Sequence, residues 1–126
     1  MRNRATANER TRPDRFARGS IKRQASAYRG RTLFVSRHPG AAEWAAQEHI
    51  AVDEFVEHLD MERIERGNTV IGTLPVQLIT RLCELGARYR HLTLDMPADM
   101  RGRELSADDL RACNARLEGF TARRTD

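Results

Sequence analysis

The amino-acid sequence predicts a small α/β domain built on a mostly parallel sheet with flanking helices. Three observations predict it. Two short apolar runs, Thr32-Leu33-Phe34-Val35 and Thr69-Val70-Ile71-Gly72-Thr73, are rich in strand formers and read as buried strands. A helix-forming segment follows each run. The elements then alternate as strand, helix, strand, strand, helix, strand, helix, the order of α/β folds, and right-handed crossovers make such a sheet mostly parallel.

The first strand ends in the turn-like run Ser36-Arg37-His38-Pro39-Gly40. Residues 41–48 form a helix with Ala41, Trp44, Ala45 and Glu48 along one side. Residues 52–59 admit two readings, since Phe55, Val56 and Leu59 suit a short strand or a helical turn. Gly67-Asn68 marks a turn before the second clear strand. Pro75 sits in the first turn of the next helix, where its missing N–H is no loss. Leu78, Ile79, Leu82 and Cys83 mark the buried face of that helix, and Gly86 its stop. Residues 89–94 alternate Tyr89, His91 and Thr93 against Arg90, Leu92 and Leu94, a strand that runs out at Asp95 and Pro97. Ser106 and Asp109 form a capping box ahead of Leu110, Cys113, Leu117 and Phe120, a stripe that reads as a last helix. Beyond Phe120 the chain turns polar and is expected to fray.

The chain has 126 residues, enough for one domain, and a sequence pI near 9.8. The basic balance is local. Residues 1–31 carry ten Lys and Arg against Glu9 and Asp14, a net +8, whereas residues 32–126 carry twelve against sixteen acids, a net −4. The first segment has few large apolar residues and is expected to be a disordered basic extension. The domain then spans residues 32–120, with 121–126 as a polar tail. No apolar run reaches the twenty or so residues of a membrane span. The start, Met1-Arg2-Asn3-Arg4, does not lead into the apolar core of a secretory signal, so a cytoplasmic location is expected. Two cysteines without a CxxC pattern exclude a disulfide scaffold and the usual zinc modules; both fall on apolar helix faces and read as core thiols. A domain this small buries a modest fraction of its surface, which favours a homodimer.

In open α/β sheets ligands bind beyond the carboxyl ends of the strands. That rule selects Ser36 to Gly40, Thr73 to Pro75, and Asp95 onward. Ser36-Arg37-His38-Pro39-Gly40 is the densest group of reactive side chains. Arg37 can clamp a phosphate, and His38 can move a proton near neutral pH. The N–H groups of Gly40, Ala41 and Ala42 would face an anion at the helix N-terminus; the alternative is a plain turn with Ser36 as a local cap. Thr73 is a ligand contact or, more simply, a helix cap. Asp95 is a ligand contact, a general base or the start of an Asx turn. Arg101 and Arg103 lie in a Pro/Gly-interrupted loop, 96–105, where they could close over an anion. His38, His49, His58 and His91 fall on different elements without metal-ligand spacing, so no metal is expected. With no Walker motif and no GxGxxG, no nucleotide cofactor is expected either. Trp44 and Tyr89 read as core.

The run Phe34 to Ala41 with Trp44, the His58-Leu59-Asp60 triplet, the run Gly67 to Val76, and Gly102-Arg103-Glu104-Leu105-Ser106 together resemble the Csx-sixteen family of type III CRISPR accessory proteins. The resemblance covers roughly residues 32–120. It implies a Rossmann-like fold similar to the CARF sensor domains, a homodimer, and ring-nuclease activity. The ligand it implies is a cyclic oligoadenylate, chiefly cyclic tetra-adenylate, cleaved to switch off the defence effectors that the ring activates. The implied chemistry is metal-independent, with a ribose 2′-OH attacking its adjacent phosphate. Arg37, His38 and Ser36 are the expected catalytic set, and Pro39, Gly40, Thr73, Leu74 and Asp95 the expected ligand contacts. The alternative is a non-catalytic module that senses or sequesters the same ring. No double-stranded nucleic acid and no membrane are expected as partners.

Overall fold

The computed structural model describes residues 30–126; nearly all of the expected basic extension lies outside them. The chain runs β1 (Thr32–Val35), α1 (Ala41–Gln47), β2 (Glu54–Val56), β3 (Thr69–Gly72), α2 (Val76–Leu85), β4 (Arg88–Thr93), α3 (Ala107–Ala112) and β5 (Arg116–Phe120). Single 3-10 turns occupy Met61–Arg63 and Ala98–Met100. The sheet order is β2-β1-β3-β4-β5. The first four strands are mutually parallel, and β5 alone is antiparallel, on the outer side of β4. The molecule is thus the α/β domain with a mostly parallel sheet that the sequence predicts. Among the described residues no helix is long and apolar enough to cross a membrane.

Strand alternation sorts the core into two layers. Phe34, Ile71 and Leu92 point to one face and pack with Trp44 and Ala45 of α1, Leu105, and Leu110 of α3. Leu33, Val70 and Tyr89 point to the other, against Ile79 and Leu82 of α2 and Ile64. Helix α2 starts one residue later than expected, with Pro75 as its N-cap at ψ 157°. Its buried face is Ile79, Thr80 and Leu82, while Leu78 and Cys83 are only half-buried. Gly86 ends it at φ 85°, a left-handed conformation that suits glycine.

The segment 52–59 resolves as a three-residue strand, and the last predicted helix needs correction. The capping box is present: Ser106 Oγ accepts from Asp109 N–H, and Asp109 accepts from Ser106 N–H. The bond from Ser106 N–H is the main reason the Asp109 carboxyl is held below its ordinary value. The helix nevertheless stops at Ala112. Asn114 adopts φ 57°, and Ala115 N–H closes back on Leu110 C=O, which turns the chain out of the helical path. Leu117 and Phe120, expected on the helix stripe, instead lie on β5, which pairs with β4 from Tyr89↔Phe120 to Thr93↔Arg116. The apolar spacing fits a helix, but the open edge of β4 offers this segment a ladder of backbone hydrogen bonds. The tail does not simply fray: Ala122 N–H reaches Cys83 Sγ at 3.5 Å, and Arg124 meets Glu84. Ser106→Ala is expected to lower stability by about 1 kcal/mol, read as a shift in the urea midpoint without a change in slope.

Candidate functional site

Strands β1 and β3 lie side by side, but their onward connections diverge. β1 leads through α1 to β2 on one side, and β3 through α2 to β4 on the other. The crevice beyond their carboxyl ends is the topological switch point of the sheet. A cavity of about 460 Å³ occupies it, lined by Ser36, Arg37, Glu57, His58, Thr73 and Leu74 among others. A second cavity of about 430 Å³ adjoins it, lined by Arg37, His38, Met96, Gly102, Arg103 and Glu104. Each is within the size range of small-molecule sites. Arg37 lines both.

The turn that carries Arg37 is built by its neighbours. Ser36 N–H extends the β1–β2 ladder to Val56 C=O at 2.9 Å, and Ser36 Oγ accepts from His38 N–H at 3.1 Å. One lone pair of that hydroxyl is therefore structural, and its O–H stays free to donate. Arg37 is exposed and meets no carboxylate or other hydrogen-bond partner among the described residues. Its charge is available to an anion. His38 is half-buried, and its Nδ1 accepts from Leu105 N–H at 3.2 Å. A peptide N–H can only donate, so the neutral ring carries its proton on Nε2 and presents a donor to the cavity side.

The helix N-terminus behaves differently from expectation. Gly40 N–H donates to Leu105 C=O at 3.1 Å, and Ala41 N–H to His38 C=O at 3.1 Å. Neither is left for an anion. Gly40 is buried because the backbone of Ser106 and Ala107 crosses directly over it; a Cβ there would stand 2.2 Å from Ala107 N. Pro39 is exposed and lines neither cavity. Asp95 also lies apart. Its carboxylate takes hydrogen bonds from Asn114 Nδ2 and Arg116, which hold it below its ordinary value and tie down the turn into β5.

Thr73 and Leu74 do line the first cavity, held from beneath by Tyr89, whose role extends beyond the core. The Tyr89 hydroxyl donates to Gly72 C=O at 2.8 Å, accepts from Leu74 N–H at 3.0 Å, and lies 2.7 Å from His91 Nδ1. Its oxygen thus holds the peptide groups on both sides of Thr73. Burial raises the pKa of this phenol above 10.0. The native group therefore keeps its proton longer than the unfolded one, so its contribution is intact below pH 10 and is lost as pH rises through the native value. Tyr89→Phe is expected to destabilise the fold by about 1–3 kcal/mol at neutral pH, because the buried Gly72 carbonyl and the half-buried Leu74 N–H lose their partner. The variant should also lose part of the alkaline fall in stability, which urea unfolding on both sides of pH 10 measures.

Glu57 and His58 also line the first cavity, although the sequence pattern does not select them for chemistry. They follow the carboxyl end of β2, and the strand-end rule reaches them only when 52–59 is assigned as a parallel strand. Among the described residues no group of three or more His, Cys, Asp or Glu is placed to hold a metal ion.

A family model described as "Putative CRISPR-associated protein (Cas_VVA1548)" matches residues 33–123. No curated protein and no solved structure matches the chain.

Proposed function

Because the chain belongs to this CRISPR-associated family, we propose that it is a ring nuclease that opens a cyclic oligoadenylate, chiefly cyclic tetra-adenylate, and so ends type III CRISPR signalling. The observation that carries the reading is the position of Arg37, a guanidinium with no partner among the described residues, on the ridge between two nucleotide-sized cavities at the switch point. A phosphodiester laid across that ridge places one nucleoside in each cavity and its phosphate on Arg37.

Ring opening needs no external nucleophile. The ribose 2′-oxygen bonds to the adjacent phosphorus, the bond from phosphorus to the 5′-oxygen breaks, and a 2′,3′-cyclic phosphate and a 5′-hydroxyl result. The protein aligns the three atoms and stabilises the charge on the phosphorane. In this scheme Arg37 supplies the charge contact. His38 Nε2–H and the Ser36 hydroxyl donate hydrogen bonds to phosphoryl oxygens, and the leaving 5′-oxygen takes its proton from water. His58 takes the 2′-OH proton, since the neutral tautomer of His38 has no lone pair on its open side. Thr73 and Leu74 contact the nucleoside in the first cavity. A two-fold pair of chains would present this set twice to a symmetric ring.

Binding without cleavage is the second reading, and the His38 tautomer favours it, because a donor-only imidazole grips a phosphate without abstracting a proton. Incubation with labelled cyclic tetra-adenylate in the presence of EDTA separates the two. Linear product is expected. Retention of the intact ring at stoichiometric protein would leave only the binding module, and no retention at all would end both readings.

A further inference from the structure

The opposite end of the sheet carries a second concentration of positive charge. On the face covered by α1 and α3, the register aligns Thr32, Thr69 and Arg88 in one row and Phe34, Ile71 and Arg90 in the next. The helices cover the second row at Phe34 and Ile71 and leave the first open, so Thr32 and Thr69 are half-buried while Arg88 and Arg90 are exposed. The chain leaving α1 forms the facing wall, where His49 turns at φ 59°. Between these walls lies a groove of about 450 Å³ floored by Thr32, Thr69 and Ile71.

The charges in this groove are not spent on the protein itself. Arg63, Arg103, Arg111, Arg116 and Arg124 each meet a carboxylate. Arg88 and Arg90 meet none among the described residues. Two acids lie in this region: Asp53, whose carboxylate accepts from Thr32 N–H at 2.7 Å, and Glu48, which lines a smaller adjoining cavity with Arg90 and Arg116. Arg88 and Arg90 stand on alternate residues of one strand and therefore project from the same face about 6.8 Å apart. That separation is close to the spacing of successive phosphates on an extended strand. Trp44 is buried, so it offers no open platform on which to stack bases.

We propose that this groove binds the phosphate backbone of single-stranded nucleic acid, through Arg88 and Arg90 with the Thr32 and Thr69 hydroxyls beneath, at the end of the sheet away from the candidate site. Backbone contact without base stacking makes the binding tolerant of sequence. The chain enters β1 beside this groove, at Thr32, and the sequence that precedes it, residues 1–31, is strongly basic.

The test is fluorescence anisotropy of short labelled RNA and DNA strands with the full chain over a range of salt. The wild type is expected to bind both. Replacing Arg88→Gln and Arg90→Gln together is expected to weaken binding about tenfold or more, and to flatten the salt dependence by about 0.7 in the log–log slope for each phosphate no longer neutralised. The thermal midpoint should stay where it is, because both side chains are exposed and meet no carboxylate among the described residues. An unchanged affinity and slope in the double variant would overturn the proposal and assign the binding to residues 1–31. Absence of binding by the wild type would overturn it as well. Neither readout depends on cleavage of cyclic tetra-adenylate.

Discussion

Replacing Arg37 with alanine is expected to slow ring opening about 100- to 1,000-fold, the range seen when one preorganised charge contact to a transition state is removed. The guanidinium is exposed and bonds to nothing else in the described chain, so its loss leaves the folded state undisturbed. Activity and stability should therefore separate cleanly, with the urea midpoint unmoved. Arg37→Lys should recover only part of the rate, since an ammonium keeps the charge but lacks the planar fork that meets two phosphate oxygens. Single-turnover cleavage of labelled cyclic tetra-adenylate measures both variants. Wild-type turnover in Arg37→Ala would remove Arg37, and with it the ridge between the cavities, from the mechanism.

Gly40→Ala is expected to act in the opposite manner, on the fold first. Its added methyl would meet the backbone of Ser106 and Ala107, with the nearest atoms at 2.2 Å. Backbone cannot swing aside as a side-chain tip can, so α3 or the turn at 38–40 must move. A loss of about 3 kcal/mol is expected, with the Gly40–Leu105 and Leu105–His38 bonds weakened together. Denaturant unfolding measures the loss, and the His38 ring resonances in NMR report whether the imidazole comes free. A midpoint equal to the wild type would mean that the two helix starts cross less tightly than a 2.2 Å approach requires.

Much of the fold is legible in the sequence because local signals agree with the tertiary result. Thr32–Val35 and Thr69–Gly72 are apolar on both sides, as interior strands are, and Gly86 ends α2 as its lack of a Cβ permits. The last element escapes such a reading for a physical reason. Leu110, Cys113, Leu117 and Phe120 have helical spacing, and nothing within the segment records that β4 has room for a partner on its outer side. Asn114 is the one local clue, as a residue type that tolerates the left-handed turn. At the candidate site the strand-end rule finds Ser36, Arg37, His38, Thr73 and Leu74 around the two cavities. It does not select His58, which lines the first cavity as well, because β2 is only three residues long. It places Asp95 and Gly40 among ligand contacts because a carboxylate and a glycine at strand ends look alike whether they face a ligand or another part of the chain. Distinguishing those cases needs long-range partners, here Arg116 for Asp95 and Ala107 for Gly40, which no window of sequence contains.

The backbone between Asp95 and Leu105 is fastened at both of its ends. Asp95 N–H bonds to Cys113 C=O at 2.8 Å, and Leu105 is bound through its N–H to His38 and through its C=O to Gly40. Between those anchors Gly102, Arg103 and Glu104 are exposed and form one wall of the second cavity. An exchange at residues 102–104 alters that wall without reaching the core layers, whereas Met96 and Met100 of the same span pack against the core beneath α1 and α3. Residues 102–104 are therefore the place where a library of variants would reshape the second cavity while the rest of the molecule stays as it is.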